Sequence, residues 1–376
     1  MKESLLTDIC EVQYGYAFDS KLFNDNEGLP VIRIRDVVRG YSETKTTEKC
    51  PDSYIINNGD ILIGMDGEFN IARWKGGKAL LNQRVCKLIP KYVNADYVLY
   101  YMPIALKAIE EKTPFVTVKH LSAKEINKIC VPLPDEYQQQ YISKSLALCD
   151  SLIFQNKLLL NKLDELIKSR FVEMFGDPIL NPKGWEMTTI GEIVTEVKYG
   201  TSRPAIDGGK YAYLRMNNLT YDGYLDLADL KRIDIPDSEI EKCIVRKGDV
   251  LFNRTNSIEL VGKTCVFDKD EDMIIAGYII RVRLKPVMLP LIMSYFMNTD
   301  ALKKKLRSMA KGAVNQANIN AQELKAIKIY LPPTDLQQQF ADFVAQTDKS
   351  KYCLVGEQIL GKAEMLIELL NQEYFG

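Results

Sequence analysis

The chain has a single histidine, His120, in 376 residues. A Ser-His-Asp triad would have to be built around that one imidazole, and in "TVKHLS" it suits a structural or phosphate-contacting role better than that of a general base. The eight cysteines, at 10, 50, 86, 130, 149, 243, 265 and 353, form no C-x-x-C pair, so neither a zinc site nor a disulfide framework is expected. No run of about 18 apolar residues is present, which argues against a membrane-spanning helix. Nothing near Met1 has the apolar core of a secretory signal, and a cytoplasmic protein is expected. An excess of one charge is missing too. Lys and Arg number 49 against 50 Asp and Glu, a formal net charge of −1, so attraction for nucleic acid must come from local patches. A methyltransferase needs a Gly-rich loop for S-adenosylmethionine and an Asn/Asp-Pro-Pro-aromatic turn; neither occurs, since Asp177-Pro178 and Asn181-Pro182 lack the second proline. No constellation of paired acids with a lysine suggests a nuclease. Catalysis, a bound metal and a resident cofactor are therefore not expected.

Proline and glycine are absent from Asp135 through Phe175, and Ile142, Leu146, Cys149, Ile153, Leu160, Leu163 and Ile167 recur there at helical spacing. One long amphipathic helix is expected. A second apolar stripe, with Phe340, Val344, Thr347, Leu354, Met365, Leu366, Leu369 and Leu370, follows near the end, with Gly356 and Gly361 as weak points.

Each long helix begins at a near-copy of the same phrase, "LPDEYQQQY" at Leu133 to Tyr141 and "LPPTDLQQQF" at Leu331 to Phe340. The likeness extends upstream: Ile126, Ile129, Val131, Leu133 and Pro134 fall on Leu324, Ile327, Ile329, Leu331 and Pro332 at an offset of 198. "NGDILI" parallels "KGDVLF" at an offset of 189, and "EVQYG" parallels "EVKYG" at 185. The chain is a tandem duplication. Aligning the triple glutamines letter by letter requires one inserted residue just before the second set. Alternating apolar residues in "LPVIRIRDVV" and "YAYLRMNNL" predict half-buried strands, and helices are expected over Tyr97 to Glu111 and Leu291 to Ala310. The expected architecture is α+β: two similar mixed α/β domains (1–135 and 176–334) separated by two long helices (136–175 and 335–376) in an antiparallel coiled coil. About 38 helical residues span roughly 57 Å.

This arrangement resembles the specificity (S) subunit of type I restriction-modification enzymes over almost the whole chain. The residues that carry the resemblance are "VPLPDEYQQQYI", "IYLPPTDLQQQFADFV", "SRFVEMFGDPILNPKGWEMTTIGEIV" and the paired Gly-Asp turns. The resemblance implies two target-recognition domains, each reading half of a split, asymmetric site in double-stranded DNA. It implies helices that set the gap and dock two modification (methyltransferase) subunits, with restriction (motor nuclease) subunits as further partners. S-adenosylmethionine, ATP and magnesium would belong to those partner chains. A noncatalytic coiled-coil scaffold without sequence-specific DNA binding is the alternative.

A DNA reader needs cations for phosphates and planar amides or guanidinium groups for base edges. The candidates in the first repeat are Arg33 and Arg35, on one face of the expected strand, with Asn82, Gln83, Arg84 and Lys119. Those in the second are Arg203, Arg215, Asn217, Asn253, Arg254, Asn256, Asn315 and Gln316, concentrated in "FNRTNS" and "GAVNQANIN". The bland reading of such residues is a solvated face or a turn. The basic run Lys303 to Lys311 suits a phosphate-facing helix or an ordinary solvated one. Gln138, Gln139, Gln337 and Gln338 are candidates for docking a modification subunit, against the plainer reading of helix surface.

Overall fold

The computed structural model describes residues 2–112, 119–313, 316–355 and 360–375, excluding the side chains at 311–313, 353–355 and 360–364. Asn315 and Gly356 thus lie outside the described residues. The chain divides into two compact units, Met1–Lys157 with Val355–Gly376, and Leu158–Leu354.

In the first unit Cys10–Tyr14, Val85–Pro90, Ile61–Gly64 and Asn70–Arg73 form an antiparallel sheet in that order. A second sheet orders Lys45–Thr46, Leu29–Ile32, Ala79–Leu81 and Ile55–Ile56, with the middle two parallel. Strand alternation divides the core: Ile61 and Ile63 pack with Tyr97, Val98, Met102 and Leu106 of the helix Ala95–Lys112, while Leu62 packs with Ile32, Trp74 and Leu81. The short pair Glu3–Leu5 and Cys130–Pro132 ties the start of the chain to the segment before the long helix.

The second unit repeats this plan strand for strand. Val194–Tyr199, Ile279–Leu284, Val250–Asn253 and Thr264–Val266 form the antiparallel sheet. Lys231–Ile233, Tyr211–Leu214, Met273–Ile275 and Ile244–Val245 form the mixed one, again with a central parallel pair. The Gly-Asp turns serve both repeats alike. Gly59 and Gly248 each take φ of 93°, where a Cβ is unfavourable. The following aspartates accept the backbone N–H of Asn57 and Arg246, both at 2.9 Å.

The twin Tyr-Gly turns are fold determinants of the same kind. A Cβ on Gly15 would lie 1.9 Å from the Asn82 carbonyl oxygen, and one on Gly200 2.1 Å from that of Ile275. These glycines let the first sheet approach the parallel strand pair, where Tyr16 and Thr201 bridge to Asn82 and Ala276. Gly200→Ala is expected to destabilise the chain by at least about 1–3 kcal/mol, since the obstruction is backbone that cannot rotate away. Thermal denaturation against wild type checks it, and an unshifted midpoint would contradict this close approach.

Three sequence expectations change. The predicted strands through Arg33 and Arg215 stop at Ile32 and Leu214, giving way to an α-helix at Ile34–Arg39 and a 3-10 turn at Met216–Asn218. The cause is a shared cap: Asp36 accepts the N–H of Arg33 at 2.9 Å, and Asn218 that of Arg215 at 2.8 Å. Arg33 and Arg35 therefore do not share a strand face. The helix expected over Leu291 to Ala310 is two, Pro290–Asn298 and Asp300–Met309, because the extended Thr299 caps the second through its hydroxyl. The third change concerns the glutamines and is described with them below.

The central helix runs Glu136–Phe175 over 40 residues. Within the second unit Phe171 and Phe175 pack edge-on against Phe340, and Asp164 meets Lys351 at 2.5 Å. Moving back along one helix thus means moving forward along Thr334–Val355, an antiparallel pairing. Within the first unit Ile142 and Leu146 share a core with Leu370 and Phe375 of Leu360–Phe375.

Candidate nucleic-acid interface

In the first unit the chain turns at Asn82-Gln83-Arg84 between Ala79–Leu81 and Val85–Pro90. Val85 N–H donates to the Asn82 carbonyl at 2.9 Å, Gln83 N–H to Tyr16 at 2.9 Å, and Met65 N–H to Arg84 at 3.0 Å. The second unit builds the same turn from Ala276-Gly277-Tyr278. Ile279 donates to Ala276 at 2.9 Å, Gly277 to Thr201 at 2.7 Å, and Arg254 to Tyr278 at 2.9 Å. The backbone scaffold is duplicated while the side chains are unlike. Gln83 and Arg84 are exposed, and Arg84 reaches Asp66 at 2.9 Å. Tyr278, 49% exposed, occupies the place of Arg84.

A second shared feature brings a distant segment alongside. Asp66 bridges to His120 in the first unit, and the Nδ1 of His120 hydrogen-bonds the Asp66 carboxylate. The equivalent pair is Thr255 and Asn318, whose side chains meet at 2.9 Å. His120 is thereby a positioned surface group with a carboxylate partner. In the second unit this pairing grows into a small sheet of Thr255–Asn256, Gln316–Asn318 and Lys311–Ala313. Two sequence clusters some sixty residues apart thus meet, Asn256 opposite Ala317 and Arg254 accepting Ile319 N–H, while Gln316 is exposed.

Several other candidates are engaged inside the protein. Asn253 is fully buried; its amide donates to the carbonyls of Thr255 and Tyr278 and accepts from Asn256, whose oxygen in turn holds Ser257 N–H. Asn253 is a structural brace and not a reader. Asn82 is also buried, with its Oδ1 unpartnered among the described residues. Arg203 holds Glu239 through two nitrogens, Arg215 holds Asp229 at 2.6 Å, and Lys119 donates to the Glu110 carbonyl at 2.9 Å. Arg35 and Arg39 flank the buried Asp36. Arg33 and Asn217 are exposed. In the basic run Lys303 is buried and lies 3.5 Å over the Tyr221 ring. Its burial pushes the ammonium down to about 8. That helix face is packing surface.

The glutamines have an internal role. Gln139 is buried; its Oε1 accepts Asn94 N–H at 2.9 Å and its Nε2 donates to the Pro134 carbonyl at 2.8 Å. Gln337 repeats this with Leu289 N–H at 2.8 Å and the Pro332 carbonyl at 2.9 Å, adding Val287 at 3.0 Å. The equivalent residues are thus Gln139 and Gln337, so the offset of 198 runs on through Ile142 and Phe340 without an insertion. Letter matching misaligned the two triplets by one residue. Gln139 and Gln337 cannot be docking groups, being occupied within their own units, whereas Gln138 and Gln338 are exposed.

Tyr278 escaped the sequence reading. Its signal was available: continuing the repeat alignment through the parallel strand pair sets Ala276-Gly277-Tyr278 opposite Asn82-Gln83-Arg84.

Residues 1–165 and 182–360 match the family model described as the type I restriction modification DNA specificity domain. The type I restriction enzyme EcoBI specificity subunit of Escherichia coli is 27% identical, covering 91% of this chain and 78% of that protein. The EcoKI specificity subunit of Escherichia coli strain K12 is 20% identical, over 85% and 75%. Among solved structures, the S subunit of a type I restriction-modification system from M. genitalium aligns with a TM-score of 0.55 at 14% identity, over all of this chain and 96% of the other. A chain from a study of complex assembly and conformational transition in a type I system aligns at 0.59 and 16%, over 100% and 97%. At such identities the structural likeness is one of fold.

Proposed function

The chain belongs to the family of type I restriction modification DNA specificity domains, and from that premise we propose that it is the noncatalytic specificity subunit that reads a split, asymmetric DNA site for its complex. Each unit reads one half-site. Two methyltransferase subunits, with motor-nuclease restriction subunits as further partners, perform the chemistry, and S-adenosylmethionine, ATP and magnesium are theirs. Work on host DNA places the complex in the cytoplasm.

The observation that carries this reading is the duplicated scaffold with unlike side chains at its equivalent turn: Gln83-Arg84 against Gly277-Tyr278, Met65 against Arg254, and His120 against Asn318. One backbone presenting two chemistries suits a reader of two different half-sites, since base identity is read by side chains. Among the sequence candidates, Gln83, Arg84, Arg254 and Gln316 are those we assign to DNA, with Arg33 and Asn217 as outlying phosphate contacts.

Single-molecule methylome sequencing of a methylation-free host expressing this chain with its modification subunit, against a host lacking this chain, tests the proposal. A split motif that appears only with this chain is the expected result. A stable complex that leaves no motif would point to the scaffold.

A further inference from the structure

Resting on the reading function proposed above, we infer that Arg254 is the principal base-reading residue of the second unit and selects guanine at one position of its half-site. Every other arginine between 158 and 354 donates to a carboxylate, a carbonyl or a tyrosine hydroxyl. The guanidinium of Arg254 has no such acceptor among the described residues, and its Nε is buried and unpartnered.

Its position is nevertheless fixed. The guanidinium carbon lies 4.9 Å over the centre of the Tyr199 ring, and that ring is anchored because its hydroxyl accepts Ala321 N–H at 2.8 Å. The backbone is held on both sides, by Arg254 N–H to Tyr278 and by Ile319 N–H to Arg254, each at 2.9 Å. A guanidinium resting on an aromatic face keeps its in-plane nitrogens available. That fork matches the O6 and N7 acceptors of guanine, and a flexible ammonium lacks its planar, ring-stacked geometry. The first unit has Met65 at the equivalent place, so the device belongs to one repeat alone.

Two variants of the full chain, Arg254→Met and Arg254→Lys, co-expressed with the modification subunit, test the inference by methylome sequencing and co-purification. Methionine is what the first unit carries at this position, so the scaffold admits it; the lysine variant decides should the methionine variant fail to assemble. Both are expected to assemble and to lose guanine preference at one position of one half-site by about tenfold to a hundredfold, with the other half-site unchanged. Lysine keeps the charge but not the ring-stacked planar fork, so its loss is expected at the lower end of that range and that of methionine at the upper. Unchanged motifs, or weaker methylation with every base preference intact, would overturn the inference by making Arg254 a phosphate or structural contact. A wild-type chain yielding no split motif would overturn the proposed function itself, and this inference with it.

Discussion

Replacing Arg281 with alanine is expected to destabilise the second unit by about 3–5 kcal/mol. Arg281 sits on the central strand Ile279–Leu284 and is completely buried. Its guanidinium donates to the carbonyls of Ile244 and Glu241 and to the Glu196 carboxylate. Glu196 also meets Arg283, which continues to Asp249 at 2.8 Å. Removing Arg281 would leave two carbonyls without their donor and Glu196 short of its innermost cation. The first unit supplies the control. Lys87 holds the equivalent place and pairs with Asp60 at 2.9 Å, with both side chains partly open to solvent, so Lys87→Ala is expected to cost less than Arg281→Ala. Hydrogen exchange along 279–284 and denaturant unfolding would separate the two; equal losses would show that the buried network is not what braces the sheet. The same network has a pH signature. Burial acts to raise the Glu196 carboxyl, but hydrogen bonds and charges from Lys198 and Arg281 outweigh it and hold the carboxyl below the ordinary glutamate range. A depressed folded-state value contributes stability above the unfolded value and loses it as pH falls through the folded one. Acid should therefore weaken the wild type more than Arg281→Ala.

Gln337→Ala is expected to destabilise by about 2–4 kcal/mol, because one N–H and two carbonyls lose the amide that satisfies them, the bond to Pro332 buried and those to Leu289 and Val287 part-buried, where a fully buried unmet group costs about 1–3 kcal/mol. Gln139→Ala, with two bonds in place of three, should cost less. Gln337→Glu is the sharper test. A carboxylate still accepts from Leu289, but it must face the carbonyl oxygens of Pro332 and Val287 with no hydrogen to offer. Its folded pKa would be raised, so the deficit should grow as pH rises through the ordinary glutamate range. Gln338→Glu, on the exposed surface, should stay within about 0.5 kcal/mol. Denaturation midpoints at acid and neutral pH decide it, and a pH-independent Gln337→Glu would argue against the paired carbonyls. Loss of partner binding in Gln139 or Gln337 variants would then report unfolding of the helix start and not a docking contact.

The duplication, the helices and the family resemblance were legible because they rest on periodicity and on glycine and proline positions that leave little choice. Gly15 and Gly200 show why: the backbone approach they permit tolerates no other residue, so the letters and the geometry coincide. Reading failed where one side chain's hydrogen bond outranked a local pattern. Asp36 and Asn218 ended two promising strands by capping, which alternation cannot register. Burial was equally hidden. Asn253 looks like an ideal reader in "FNRTNS" and is wholly internal, while the guanidinium of its neighbour Arg254 has no acceptor among the described residues. Neighbours in sequence point to opposite sides of a strand, and only the paired partners tell which side is solvent.

The repeated turn has a consequence for how such a chain can change. Its shape is fixed by main-chain hydrogen bonds at Asn82, Arg84, Ala276 and Tyr278, so exposed side chains there contribute little to stability and substitutions should fall within about 0.5 kcal/mol. Selection can alter which bases are favoured at those places without first having to repair a weakened fold. The rigid positions, Gly15, Gly200, Gln139, Gln337 and Arg281, form the opposite class, in which a change costs stability within its own unit. Drift in recognition is thus separated from drift in folding, and the two repeats, with Arg84 in one and Tyr278 in the other, are two outcomes of that freedom on a single frame.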